Sequence, residues 1–144
     1  MFKRLLQTDD SITSFIIRVT LALVMLPHGA QKLLGMFGGY GFKATMNYFT
    51  STGTPAFLAF LVILTESIGS VLILLGFTTR FWAGMLTIIM LVATSMHAAN
   101  GFFMNWGGTQ AGEGFEYHLL VIGINIALII KGAGRWSVDR MLTR

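Results

Sequence analysis

The stretch Pro55–Gly76 reads PAFLAFLVILTESIGSVLILLG and decides the fold. It holds one ionisable side chain, Glu66, in a run long enough for the ~20 apolar residues that a membrane helix needs. Pro55 suits the first turn, where a missing backbone N–H costs nothing. Only Phe77-Thr78-Thr79-Arg80 separates this run from the next apolar segment at Phe81. So short a link forces two antiparallel, neighbouring helices.

Working outward, four spans are expected: about Ile12–Leu34, Pro55–Gly76, Phe81–Ala98 and Phe115–Lys131. The chain of 144 residues is 54% hydrophobic and 11% charged, with a mean hydropathy of +0.71. Soluble domains average about 25% charged residues, so this is an all-α, polytopic membrane protein, an antiparallel four-helix bundle in one domain. Lys3 and Arg4 ahead of an apolar run faintly resemble a signal peptide. Asp9 and Asp10 interrupt that pattern and the apolar run continues to Leu34, so a first membrane helix is expected instead.

The net charge of +4 does not point to nucleic acid, because the basic residues flank apolar segments and form no stripe. They act as topology signals. Lys3, Arg4, Arg80, Lys131, Arg135, Arg140 and Arg144 lie on one side, against Lys32 and Lys43 on the other. An excess of Lys and Arg marks the cytoplasmic side, so both termini should be inside and both long loops outside. The expected location is the bacterial inner membrane, with lipid as the first partner. The absence of cysteine excludes disulfides, thiolate nucleophiles and Cys-ligated metal.

The two long segments, Gly35–Thr54 with GMFGGYGF and Ala99–Gly114 with NGFFMNWGGTQAGEG, are rich in glycine and aromatics. With no strand before them they are not phosphate cradles. They read as interfacial belts or as a lid over a site.

Five ionisable residues fall within or at the edge of the spans: Arg18, His28, Glu66, His97 and Glu116. Such groups persist at membrane depth when they face the bundle interior, pair, or do chemistry. At a helical rise of 1.5 Å, His28, His97 and Glu116 all lie ~24 Å from the inner ends of their helices, with Glu66 at ~15 Å and Arg18 at ~9 Å. Arg18 can therefore approach Glu66, or snorkel to the cytoplasmic interface. His28, Gln31 and Lys32 share a helix face, and Lys32 at a helix end can also snorkel outward. Pro27 should bend the helix beside them. Gly69 and Ser70, near Glu66, permit close helix approach. Glu116 and His118, two residues apart, point to opposite sides, and periodicity does not choose between them. Each residue also has a structural reading, His28 as a hydrogen-bonded bundle histidine and His97 and Glu116 as interfacial groups.

Several short motifs now combine: His28-Gly-x-Gln31-Lys32; Thr65-Glu66-Ser-Ile-Gly69; Leu74-Leu-Gly-Phe-Thr-Thr-Arg80; His97 with Gly101-Phe-Phe103; Glu113-Gly-Phe-Glu116; and Gly132-Ala-Gly-Arg-Trp-Ser-Val-Asp139. In order and spacing the set resembles the DoxX family of small bacterial membrane proteins, over about Phe15–Asp139. The resemblance implies a four-helix membrane protein associated with quinol oxidase, thiosulfate:quinone oxidoreductase or oxidative-stress assemblies. Carried over by residue, His28, Gln31, Lys32, Glu66, His97 and Glu116 match the family's polar positions, which favours Glu116 over His118 as the inward group. Ser70 stands where a second glycine is expected after Gly69.

Three functions follow. The first is a quinone-linked redox subunit, with His28, Glu66, His97 and Glu116 exchanging protons and His28, Gln31, Lys32, Glu66 and Arg18 holding the quinone. Electrons would then need a partner, a membrane or peripheral redox protein. The second is a metal site built from His28, His97 and Glu116. The third is a non-enzymatic scaffold that docks a redox partner or forms a homo-oligomer. Transport of a small solute also stays open.

Overall fold

A computed structural model describes residues 2–144 of the chain. Every regular element among the described residues is helical. They are α1 (Phe2–Leu6), α2 (Ile12–Leu34), α3 (Gly41–Ser51), α4 (Ala56–Leu64), a π turn (Thr65–Gly69), α5 (Ser70–Leu75), α6 (Thr79–His97, prolonged by a 3-10 turn at Ala98–Asn100), α7 (Glu116–Lys131) and α8 (Val138–Thr143). Three of these are long and apolar enough to cross a membrane: Ile12–Leu34, Ala56–Leu75 and Thr79–Asn100. Helix α7, at 16 residues, is shorter than the other three.

The packing is inverted relative to a soluble domain. Large apolar side chains such as Ile16, Leu23, Phe57, Ile88, Val92, Leu120 and Ile130 point outward, whereas Arg18, Glu66, Thr65, Ser70 and Asn125 are buried. Lipid solvates the apolar faces, so the interior is free to hold polar groups, provided they find partners. The apolar core joins Leu21, Ala22 and Met25 of α2 to Ile73 of α5, Ala83, Leu86 and Met90 of α6, and Val121 and Leu128 of α7.

Helix starts and stops follow local chemistry. Ser11 caps α2 by accepting from the Ser14 N–H, and Gly35 ends it in the left-handed region at φ 72°. Pro27 lies within an unbroken helix and does not end it. The second span departs from α geometry where the sequence reads Thr-Glu-Ser-Ile-Gly, as a five-residue π turn around Glu66. Such turns cluster at functional positions because they re-aim side chains at the cost of regular hydrogen bonds. The segment expected as one long outer loop instead contains α3, which packs on α2 and α4.

At the end of the bundle that carries α1 and α8, a C-terminal clasp closes the fold. Asp139, almost fully buried, accepts from the N–H groups of Thr78 (2.7 Å) and Thr79 (3.0 Å), which open α6. Its own N–H donates to the Gly76 carbonyl at 2.9 Å. The carboxylate thus neutralises the positive start of a membrane helix.

Arg18 belongs to the same clasp. Its guanidinium donates to the carbonyls of Ile73 and Leu74, which end α5, and to those of Arg135 (3.3 Å) and Trp136 (3.2 Å). The expected approach of Arg18 to Glu66 is corrected: four backbone carbonyls, two of them at the end of α5, hold the guanidinium where it lies. Arg18 therefore lies in the clasp and does not line the cavity described below.

Candidate functional site

A cavity of about 540 Å³ opens between α2, the N-terminal half of the second span, α6 and the start of α7. Its walls are mostly apolar, from Met25, Leu58, Leu61, Val62, Met85, Ile88, Ile89, Met90 and Val92. Polar groups from four elements reach the same cavity: His28 and Lys32 from α2, Glu66 from the π turn, His97 from α6, and Tyr117 and His118 from α7. Tyr48 and Phe49 of α3, with Met104 and Glu113 of the second long loop, complete the lining on the outer side.

Close backbone approach builds the polar end. A Cβ on Gly29 would collide with the backbone of Glu66 and Ser67. Glycine at position 29 therefore lets α2 lie directly on the π turn, the small-residue contact that membrane helices use. It brings Lys32, one turn further on, to Glu66: Nζ donates to Oε2 at 2.5 Å. Glu66 is 5% exposed, so this charge-assisted bond supplies the partner that a carboxylate at this depth requires. Lys32 does not snorkel away; a buried anion within reach is worth more to it than the interface.

The remaining rings form a row. His28 lies 6.1 Å from Tyr117, Tyr117 lies 5.7 Å from His118, and His118 stacks on His97 at 5.0 Å with 25° between planes. The Tyr117 hydroxyl donates to the Met25 sulfur at 3.5 Å. His97 Nδ1 sits 3.1 Å from the Glu113 carbonyl, at the outer end of the row. The arrangement offers one ion pair and three imidazoles, groups suited to hydrogen-bonding and to trading protons with a ligand in an apolar cavity.

Several expectations change here. His28, Lys32, Glu66 and His97 come together around one cavity. Glu116 does not join them: its Oε1 accepts from the Met104 N–H (2.9 Å) and the Trp106 indole N–H (3.2 Å), pinning the second long loop. His118 faces inward in its place, on the buried stripe that continues through Val121, Asn125 and Leu128. That stripe was present in the sequence, and two polar residues upon it, His118 and Asn125, were its signal. Tyr117 was overlooked altogether. Gln31 donates to the Phe37 carbonyl at 3.1 Å and lines an adjoining depression of about 450 Å³ that shares Lys32, Tyr48 and Phe49 with the cavity.

The trio His28, His97 and Glu116 is therefore not assembled as a metal site. Among the described residues no three His, Cys, Asp or Glu side chains converge closely enough to hold an ion. The loop captures the Glu116 carboxylate before it can reach the imidazoles.

The DoxX family profile matches residues 13–106. With helices of this length and apolarity, the match defines a class: small multi-pass membrane proteins with a polar interior. The chain belongs to the DoxX family. It is 30% identical to "Putative oxidoreductase CatD" of Bacillus subtilis, over 81% of this chain and 78% of that protein. It is 27% identical to "Inner membrane protein YqjF" of Escherichia coli, over 94% and 95%. It is 33% identical to "Uncharacterized membrane protein Rv3486" of Mycobacterium tuberculosis, over 98% and 88%. No solved structure matches the chain.

Proposed function

We propose that this chain is a bacterial inner-membrane subunit that binds a quinone in the cavity between the second and third spans and works with a redox partner. The cavity carries the reading: a mostly apolar space of about 540 Å³ lined also by a carboxylate, an ammonium and imidazoles. A quinone head needs hydrogen-bond donors at its carbonyl oxygens and acceptors at the corresponding hydroxyls, and an isoprenoid tail needs an apolar wall. The name of the relative CatD as an oxidoreductase supports the same direction.

In this reading α7 is a fourth membrane helix and both termini are cytoplasmic, as the basic residues imply. Lys32 and His28 would donate to a carbonyl oxygen of the quinone, Glu66 would accept from the hydroxyl of the reduced form, and His118 and His97 would supply further imidazole groups. A bound quinone supplies two-electron, two-proton chemistry. Glu66 and the imidazoles take up or release the protons, and the electrons pass to or from the redox partner.

The test is binding. The protein in lipid nanodiscs should bind a short-chain quinone, and Glu66→Gln and His28→Ala should each weaken that binding about tenfold or more. Equal affinity in both variants would remove the cavity as the quinone site. Single cysteines at Lys43 and Arg144, introduced into a chain with no other cysteine, should label from opposite sides. Labelling from one side would overturn the topology.

A further inference from the structure

We infer that the cavity is filled sideways from the bilayer, and that its ligand is an amphiphile whose chain lies between α4 and α6. The inference rests on the quinone reading for the head group but stands on separate observations for the route.

The second and third spans touch along only part of their length. Helix α6 packs on the π turn and α5, while α4 packs chiefly on α2, α3 and the π turn. Outward of Glu66 the two spans part, and the parted faces are the cavity walls. Leu58, Leu61 and Val62 line one side, and Ile88, Val92 and Met96 line the other.

Those walls run out to the lipid-facing surface. Leu58 is 49% exposed, Ile88 59% and Val92 55%, although all three also line the cavity. The edges of this opening carry no charged side chain, and Ile88 lies nine residues into α6, ~13 Å from its inner end, a depth within hydrocarbon. Away from this opening the polar end is bounded by Tyr48 and Phe49 of α3 and by Met104 and Glu113 of the second loop. The apolar path to Glu66 is therefore the lateral one.

The shape adds a length. Lining residues on α6 extend from Met85 to His97, twelve positions or ~18 Å along the helix. A small ring at Glu66 fills only part of that, and an apolar chain fills the rest before leaving past Ile88 and Val92. Single-headed, long-chain molecules dissolved in the bilayer fit this form, and small water-soluble substrates do not.

The experiment compares a benzoquinone carrying a decyl chain with the same head group lacking it, bound to the full-length protein in nanodiscs. Val92→Trp narrows the opening without touching the polar end. The indole occupies the path of the chain, and that overpacking should weaken the decyl compound about tenfold, while the chainless compound binds as before. Glu66→Gln should weaken both. Unchanged affinity of the decyl compound in Val92→Trp would overturn the lateral route while leaving the quinone reading intact.

A second measurement decides the route even if neither quinone binds. A nitroxide on Met85→Cys should collide more often with oxygen, which partitions into lipid, than with a water-soluble nickel chelate. Oxygen dominance without quinone affinity keeps the side opening and removes the quinone. Nickel dominance, or low collision with both reagents, overturns the side opening.

Discussion

Lys32 and Glu66 meet at 2.5 Å where the outer end of α2 crosses the π turn of the second span. The lysine side chain is 25% exposed and the carboxylate 6%, so the pair sits at the cavity wall and not within the packed core. Removing one partner of such a pair strands the other charge in a poorly solvating environment. Glu66→Ala should lower stability by about 2 kcal/mol, and Lys32→Met/Glu66→Ala should recover much of that loss. Thermal unfolding of the single and double variants in mild detergent measures the coupling. Simple additivity would mean that the two side chains do not act as a pair.

Gly29 sets the distance at which that pair forms. Because a Cβ there meets the Glu66 carbonyl, Gly29→Ala must push α2 away from the π turn, an overpacking cost of about 1–3 kcal/mol. Gly84 is a built-in control: a Cβ there meets nothing within 4 Å. Gly84→Ala should be neutral or slightly stabilising through helix propensity, by up to about 1 kcal/mol. Equal effects of the two substitutions would contradict the close approach at Gly29.

Three of the four expected spans were legible because their signal is cumulative: twenty apolar residues outweigh any single exception, whereas α7 has only 16. Counting along the helices put His28 and His97 at one depth and Glu66 ~9 Å lower, and the cavity spans that difference. Pairing was not. Arg18 and Glu66 are separated by little depth, yet the backbone carbonyls that end α5 satisfy Arg18 first, and only the C-terminal fold brings Arg135 and Trp136 to it. Glu116 and His118 were an even choice by periodicity, and the loop decided it by offering the Met104 and Trp106 N–H groups to the carboxylate. The π turn had no sequence signature that simple patterns read. Helix α3 was hidden because its eleven residues are too few and too polar for a span and lie among glycines.

Asp139 joins the end of the chain to the start of α6, which predicts a graded effect of substitution there. Asp139→Ala removes the acceptor for two helix-opening N–H groups and should cost about 1–2 kcal/mol. Asp139→Asn keeps one acceptor oxygen and relieves a buried charge, so its loss should be smaller. Unfolding midpoints in a single detergent would rank the variants. An equal loss in both would show that the charge, and not the hydrogen bonds, holds the clasp.

Two carboxylates near the chain termini should give the stability curve opposite slopes. Hydrogen bonding from Arg135, then from Arg140, holds the Asp10 carboxyl below the ordinary value of 3.8 against a smaller opposing effect of burial. Its contribution is therefore present above 3.8 and is lost as pH falls through the lower folded value. Burial pushes Asp139 the other way, above 3.8, despite the N–H groups of Thr79 and Thr78 that favour its charge. The folded state then binds that proton more readily than the unfolded chain, so stability rises as pH falls from neutral through the raised value. The wild-type protein should be most stable in mildly acidic solution and weaken below 3.8. Asp139→Asn should flatten the mildly acidic rise, and Asp10→Asn should flatten the loss at lower pH. High salt should shrink the Asp10 effect most, because that pair is exposed and screened. A pH series of unfolding midpoints on the three proteins separates the two groups, and a rise that survives Asp139→Asn would assign it elsewhere.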